Sequence, residues 1–515
     1  MRRSRASAGP DLGNRSVLTV CVILATLMQS LDSTIANVAL PYMRGPMGAS
    51  QDQINWVLTS YIVAAAIMTA PTGFLAARFG RTRLFVTSVV GFTLASILCG
   101  LAQSLGQIVI FRVLQGVFGA ALVPLSQAVM FDIYPPERRG SAMALWGMGV
   151  MIGPILGPTL GGWLTENYNW RWVFYINVPF GMLAAIGLLT FLKETAHTGA
   201  VKLDWIGFGA LSLAIGAFQT MLDRGELLDW FSSREIIVEA CLAGLGLYCF
   251  VVQLALAPRP FLSPRLFRDL NFVVGITFIF IVGLILYATL ALLTPYLQTV
   301  MDYPVVTAGV ALAPRGAGTM LAMLVCGRLV GRVNVRLLVS FGFLATAYAL
   351  YEMTSWTPDV SEWTVINIGF IQGVSIGFVF VPLSTTTFAT LPSELRTQAT
   401  GIYSLMRNIG SAIGISVTGA LLQSNTQINH AQIAGAVTPF NRALNAGAIL
   451  RFWNPVGAHG AAALNEEVTR QATIIAYVDD FKLMLILALA SLPLVLLIRS
   501  TKRQAPGDSH DAVME

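Results

Sequence analysis

Long apolar runs separated by short polar loops dominate the chain. Fourteen runs (17–40, 54–76, 84–102, 107–131, 140–163, 172–192, 205–222, 236–257, 272–298, 305–327, 336–353, 363–388, 397–422 and 481–499) are long enough to cross a bilayer, which takes about 20 mostly apolar residues. None shows the ten-residue alternation of a transmembrane barrel strand. Lipid-exposed backbone must satisfy its own hydrogen bonds, so each run is predicted to be a helix. On the first, Gln29, Asp32, Ser33 and Asn37 fall on roughly one face at helical spacing.

The loops orient the helices. With the N-terminus inside, 21 Lys and Arg fall in loops on the inner side and 7 on the outer side, a bias that places both termini in the cytoplasm. The basic and apolar start of the chain resembles a signal peptide, but the run continues past residue 30 without a clear small-residue cleavage site, and it is read as a span. The longest non-membrane stretch, 423–480, falls outside. It carries weak helical patterning (Ala431 to Ala434, Val468 to Val478) and reads as a small external subdomain.

Composition narrows the class. The chain has 515 residues, 55% hydrophobic and only 11% charged, against about a quarter charged in soluble domains. That excludes a soluble enzyme, a disordered chain and a nucleic-acid binder. The net charge of +6 sits in short loops and follows membrane orientation, not phosphate contact. Five cysteines, all within apolar runs and without CxxC spacing, support neither a disulfide framework nor a metal site; each is expected to be a buried small apolar residue. Gly373 to Gly377 fits GxSxG, but it lies inside a span with no membrane histidine, so no esterase elbow is credible. Without a Gly-Lys dipeptide there is no Walker A loop. The chain is therefore expected not to be an enzyme and to need no cofactor beyond the proton motive force.

The chain repeats itself. Gln115-Gly116-Val117 and then Pro124-Leu125-Ser126 recur as Gln372-Gly373-Val374 and Pro382-Leu383-Ser384. Pro135-x-Glu137-x-Arg139 recurs as Pro392-x-Glu394-x-Arg396, and Gly153-xxx-Gly157 as Gly410-xxx-Gly414. Gly73-x-Leu75-xx-Arg78 recurs as Gly327-x-Leu329-xx-Arg332, at an offset of 254 where Gln115, Pro135 and Gly153 have 257. The echoes are eight spans apart, an even number, so the halves share an orientation, as in a parallel transporter repeat with its substrate site at the midplane. The predicted fold is all-α: two parallel-repeat six-helix bundles plus an inserted helix pair. The expected division is a cytoplasmic tail (1–16), an N-terminal bundle (17–192), the inserted pair with its loops (193–271), a C-terminal bundle (272–499, including 423–480) and a cytoplasmic tail (500–515).

Charge near the middle of a bilayer costs at least about 2.5–3.5 kcal/mol per residue, so ionisable groups inside spans mark function. Asp32 is read as the only carboxylate deep inside any span, facing the protein interior, where removal from water suits it to exchange a proton near neutrality. None of the four histidines lies in a span to compete for that role. Arg112 enters span 4 at a depth within a few ångströms of Asp32, by 1.5 Å per residue, and the two are expected to pair in one conformation. Proton coupling is therefore assigned to Asp32 and Arg112, against the alternative of a static structural pair. Arg315 and Arg407 sit near mid-membrane in the second half. They suit a cavity for anionic or neutral lipophilic ligands, or else snorkel, bond helix carbonyls or pair with Asp32. Gln29, Asn37, Gln115, Arg315, Arg407 and Asn408 form the expected substrate cavity. Gly149, Gly153, Pro154, Gly157, Pro158, Gly161 and Gly162 make span 5 a smooth, bendable helix suited to a gate at the junction between halves.

These residues resemble the Major Facilitator Superfamily, in particular its fourteen-span drug:proton antiporters of the EmrB/QacA type. The resemblance covers nearly the whole chain and is closest to EmrB-like inner-membrane subunits. It rests on Leu31 to Pro41 in span 1, Gly73 to Arg81 in the loop after span 2, Arg112, Gln115 and Gly116 in span 4, and the Gly-Pro stripe of span 5. Asn169 to Trp172 with Asn177-Val178-Pro179 resemble the start of span 6, and Asp223-Arg224-Gly225 with Asp229-Trp230-Phe231 the loop after span 7. The resemblance implies that Asp32 and Arg112 couple protons and that Gly73, Arg78, Gly80 and Arg81 close the cytoplasmic gate. The superfamily usually has an aspartate where this chain has Ala77, and Asp132 is the candidate to hold Arg78 or Arg81 instead. Cation exporters of the group often carry another membrane acid in the second half, where this chain has Arg315, which favours lipophilic weak acids or neutral drugs. The implied function is proton-driven efflux of amphipathic or lipophilic toxic compounds across the inner membrane. The implied partners are an EmrA-like periplasmic adaptor, contacted through 423–480, and an outer-membrane channel. The alternatives are a dedicated exporter of one metabolite, such as a fatty acid or siderophore, and a non-transporting receptor or scaffold.

Overall fold

The computed structural model describes residues 12–192, 204–258, 260, 262–437 and 458–499. The tail residues 1–11 and 500–515, the loop 193–203 and the stretch 438–457 lie outside the described residues. The first repeat runs through α1 (Leu12–Arg44), α2 (Gln51–Ile54), α3 (Trp56–Thr69), α4 (Thr72–Phe79), α5 (Arg81–Leu101), α6 (Leu105–Gly119), α7 (Leu122–Ile133), α8 (Arg139–Asn167), α9 (Trp172–Tyr175) and α10 (Asn177–Phe191). Then come α11 (Trp205–Arg224) and α12 (Arg234–Leu256). The second repeat holds α13 (Leu270–Pro295), α14 (Val305–Leu329), α15 (Val335–Met353), α16 (Glu362–Thr387), α17 (Ser393–Ala436) and α18 (Ala458–Ala490). Among the described residues, thirteen helices are long and apolar enough to cross a membrane; the bent pair α3–α4 makes a fourteenth span.

Local chemistry sets the ends and breaks. Ser104, Asp204, Asp269 and Ser361 each accept from a backbone N–H in the first turn of the following helix, which satisfies donors that a helix start leaves open. The second span bends by 58° between α3 and α4, at Pro71. The fourth breaks at Ala120–Ala121, because Pro124 has no N–H for the Ala120 carbonyl; the Thr69 hydroxyl donates to that carbonyl at 3.5 Å. Gly80, with φ of 90°, makes the tight joint from α4 to α5, a backbone conformation that suits glycine.

The glycine stripe of α8 lies against α1. Added β-carbons at Gly149, Gly153, Gly157 and Gly161 would strike Ile23, Ser30, Thr34 and Ile35. Pro154 withholds the N–H that the Val150 carbonyl would otherwise accept, and the Ser30 hydroxyl donates to that carbonyl at 2.6 Å. Thr34 donates to the Gly153 carbonyl at 3.1 Å. The stripe thus packs within the first repeat instead of lining the junction between halves. A different face of α8 meets the second half, with Gly140 against Gly327, Gly147 against Met323 and Ile155 against Gly316 of α14.

Corresponding close approaches recur in the second repeat. Gly153 abuts Ser30 and Gly410 abuts Phe280; Gly157 abuts Thr34 and Gly414 abuts Leu284; Gly116 abuts Tyr61 and Gly373 abuts Arg315. The inserted pair bridges both repeats. Thr59 of α3 donates to Asp223 of α11, and Ser416 of α17 donates to the Leu222 carbonyl at 2.9 Å. The other face of α12 presents Leu245, Tyr248 and Val251 outward.

Two expectations need correction. The stretch 423–480 is no separate subdomain among the described residues. Span 13 continues as one helix of 44 residues to Ala436, about 66 Å at 1.5 Å per residue and twice the roughly 30 Å of the hydrocarbon core. Span 14 begins as α18 at Ala458, and His430 and Asn465 meet at 3.0 Å across the two extensions. An apolar window ends where lipid ends, whereas a helix continues as long as a neighbour packs against it. All five cysteines are free, but only Cys21, Cys99 and Cys326 are buried; Cys241 and Cys249 are exposed on α12, much of whose apolar surface has no protein against it.

Candidate functional site

Inside the first repeat a fully buried polar cluster surrounds Asp32. Arg112 Nη1 lies 2.6 Å from Asp32 Oδ2, with neither side chain exposed. Gln115 Nε2 donates to Asp32 Oδ1 at 2.9 Å and Asn177 Nδ2 donates to the same oxygen at 3.0 Å. Every donor to Asp32 is an N–H, so both of its oxygens act as acceptors. Arg112 is itself held by the Val57 carbonyl through Nε at 2.9 Å and by Gln115 Oε1 at 2.8 Å. Its guanidinium lies 4.2 Å from the centre of the Tyr61 ring and 5.7 Å from that of Phe174, aromatic faces that offset part of its desolvation. Ser96 accepts from Gln115 and Asn177 and donates to the Phe174 carbonyl at 2.9 Å. The network is not closed, since Arg112 Nη2 and Asn177 Oδ1 are buried without a partner.

Five helices build this cluster. Asp32 comes from α1, Tyr61 from α3, Ser96 from α5, Arg112 and Gln115 from α6, and Asn177 from α10. Gly116 lets α6 approach Tyr61 closely enough for the pair to form. Sequence reasoning missed Tyr61, Ser96 and Asn177 as site residues. Asn177 stands in the Asn177-Val178-Pro179 motif, and its signal is a bare amide inside an apolar span; Ser96 and Tyr61 carry none, because single hydroxyls are common in such helices.

The residues of the expected substrate cavity differ in their surroundings. Gln115 belongs to the Asp32 cluster. Gln29 donates to the Tyr61 hydroxyl at 3.3 Å, one step from that cluster, and Asn37 is exposed. Arg315 lies inside the second repeat at 6% exposure, donating to the Leu286 carbonyl at 3.2 Å. Arg407 and Asn408 are half-buried on α17. Arg407 Nε has no partner.

Asp32 is also not alone. The apolar window of span 14 starts one residue after Asp480, which left that residue outside the membrane in the sequence reading. The helix runs on through it, and Asp480 is 1% exposed with neither carboxyl oxygen hydrogen-bonded.

At the end where the chain enters and leaves the bundle, Asp132 joins the two repeats. It pairs with Arg81 and, at 3.1 Å, with Arg396 of α17. Beside it Ser141 donates to the Gly327 carbonyl at 3.3 Å, and Gly73 packs on the backbone of Gln398. Phe131, Phe388 and Tyr403 form an edge-to-face chain beneath, with ring centres 5.2 Å apart. Arg78 lies over the Phe79 ring at 5.7 Å. Asp132 thus pairs with Arg81, one of its two expected partners, and with the unforeseen Arg396. Two part-exposed ion pairs are worth up to about 1 kcal/mol each, so Asp132→Asn is expected to shift the closed-to-open ratio of this face roughly tenfold. With the five native cysteines replaced, a cysteine introduced at Gly401, which is buried against Thr69 of the first repeat, should then react faster with a membrane-permeant maleimide; an unchanged labelling rate would show that the contact is not a latch.

Comparison with known proteins agrees with this architecture. The chain belongs to the Major Facilitator Superfamily, whose family model matches residues 22–415. It is 36% identical over 471 residues to the multidrug export protein EmrB of Escherichia coli (strain K12), covering 90% of this chain and 91% of that one. It is 37% identical over 485 residues to the fatty acid resistance protein FarB of Neisseria gonorrhoeae, covering 94% and 96%. Among solved structures, the proton:xylose symporter XylE aligns with a TM-score of 0.59 at 12% identity, over 95% of this chain and 99% of that one. The human organic anion transporter MFSD10 aligns with 0.57 at 14%, over 92% and 98%. These two share the fold.

Proposed function

We propose that this superfamily member is a proton-driven exporter of amphipathic or lipophilic toxic compounds. It would act in the cytoplasmic membrane, with both termini inside, through alternating movement of the halves 17–192 and 272–499. The reading is carried by one observation: a fully buried carboxylate, Asp32, whose oxygens are held only by Arg112, Gln115 and Asn177. A proton arriving at Asp32 removes the charge that Arg112 faces, and the buried guanidinium must find another partner. The two protonation states therefore favour different helix arrangements, which is what coupling requires. The inward movement of one proton supplies about 2.3 kcal/mol per 100 mV. The Asp132 contact would close the cytoplasmic face while the outer face is open, and the α17 and α18 extensions would offer an EmrA-like adaptor its footing. The similarity to EmrB supports a broad substrate range.

The similarity to FarB, together with Arg315, favours the second reading: a dedicated exporter of an acidic lipid-like metabolite. Reconstituted vesicles separate the readings from each other and from a scaffold. With a pH gradient imposed, the exporter moves several unrelated lipophilic drugs and alkalinises or acidifies the lumen when each is added. A dedicated exporter does so for one compound class, and a vesicle lumen that never responds would refute transport.

A further inference from the structure

Beside the joint between α4 and α5, a groove of about 430 Å³ opens on the side of the first repeat. It lies where two neighbouring spans are broken. Met68 lines it from just before the bend at Pro71, and Phe118 and Ala121 line it from either side of the break in the fourth span. The third span, α5, is one unbroken helix and supplies Leu84, Thr87 and Ser88. Two bent helices cannot follow an unbroken one closely along its whole length, so a gap remains between them.

The gap is apolar inside and basic toward the joint. Leu75, Leu84, Val117 and Phe118 are half-buried in its walls, whereas Arg78, Phe79 and Arg83 line it and are exposed. Among the described residues none that line it is acidic. The groove also leads onward into an apolar surface. From Thr87, exposed Val90 and Leu94 follow along α5, and from Val117, exposed Leu114 and Ile110 follow along α6. These positions recur three or four residues apart, so each set is one stripe of its helix. The two helices meet through Gly91 and Phe118. From Arg83 to Leu94 the helix rises about 16 Å, close to half of the roughly 30 Å hydrocarbon core. The arginines thus stand about one leaflet away from the inner end of the stripe.

We propose that this groove is a binding site for an acidic phospholipid, with its phosphate at Arg78 and Arg83 and one acyl chain in the groove and along the α5–α6 stripe. The two guanidinium groups flank the tight joint at Gly80, and arginine is well suited to phosphate oxygens. A basic pocket between membrane helices at headgroup depth selects a net negative lipid; a zwitterionic one brings an ammonium group that both arginines repel. The volume falls within the roughly 300–1,000 Å³ of ligand sites in general. The site depends on the membrane position of the chain and not on the export reading.

Native mass spectrometry of the purified full chain tests this by counting bound lipid. The probes are phosphatidylglycerol, phosphatidylethanolamine and phosphatidylcholine with the same acyl chains, dodecanoate as a single-tailed acid, and soluble glycerol phosphate as the headgroup alone. The wild type should hold phosphatidylglycerol about tenfold or more tightly than the two zwitterionic lipids, at about fivefold for each arginine. Arg83→Gln should lower that preference about fivefold, the double variant Arg78→Gln with Arg83→Gln should abolish it, and Arg83→Lys should keep most of it. Val117→Trp fills the groove while both arginines stay, and it should lose the tightly held lipid with an unchanged melting temperature. Equal retention of the three lipids, or an unchanged preference in the double arginine variant, would overturn the site. So would tight binding of glycerol phosphate alone, or dodecanoate held as tightly as phosphatidylglycerol, which would make the groove an anion site or a port for cargo. If Val117→Trp melts early, the arginine variants decide the question by themselves.

Discussion

Asp32→Asn is expected to collapse proton-driven accumulation, at a cost in stability because it leaves the buried Arg112 without its anion. Asparagine has the same shape and keeps one carbonyl oxygen to accept from Gln115 and Asn177, which both bond Asp32 Oδ1 in the wild type. It cannot take up or release a proton. If one proton is exchanged for one neutral drug molecule, 100 mV is worth about 2.3 kcal/mol, and at 1.36 kcal/mol per tenfold this sustains a drug gradient of roughly 50-fold. Without a titrating group that gradient should fall to about one. Drug efflux from vesicles under a fixed potential measures it. Export at the wild-type level by Asp32→Asn would move proton coupling elsewhere, and Asp480 would then be the next residue to replace.

Arg112→Gln should damage the fold itself. It strands Asp32 as a charge with no exposure and only amide donors. Breaking a buried ion pair from one side costs about 3–5 kcal/mol, a large part of the 5–15 kcal/mol that holds a typical protein together. Low yield and a lowered melting temperature in detergent are the expected readouts. The double variant Asp32→Asn with Arg112→Gln removes both charges and should regain most of the lost stability without regaining transport. That non-additivity is the coupling between the two residues. If Arg112→Gln alone melts like the wild type, water reaches the site and the pair is weaker than its burial implies.

The membrane class, the number of spans, their helical nature and the internal repeat were all legible in the order of residues. Each follows from short-range facts: a run of apolar side chains has one viable backbone in lipid, and a repeated motif is visible wherever it lies. Asp32 and Arg112 were legible as candidates for the same reason, because charge is rare in such runs. The glycine stripe of α8 was legible as a packing surface, but its partner was not. Only the assembled helices put it against α1 and turned another face toward α14.

What the tertiary structure decided is which polar groups share a space. Ser96, Tyr61 and Asn177 are ordinary residues on three separate helices until packing brings them around Asp32 and Arg112. Arg81, Asp132 and Arg396 come from the start of α5, the end of α7 and the far half of the chain before they meet in one contact. The same holds for Asp480, which lies just outside an apolar window and becomes a buried acid because its helix runs on beside its neighbours. A sequence states how each segment meets lipid, since that depends on the segment alone. Which charge meets which depends on distances between segments, and those exist only once the helices have packed.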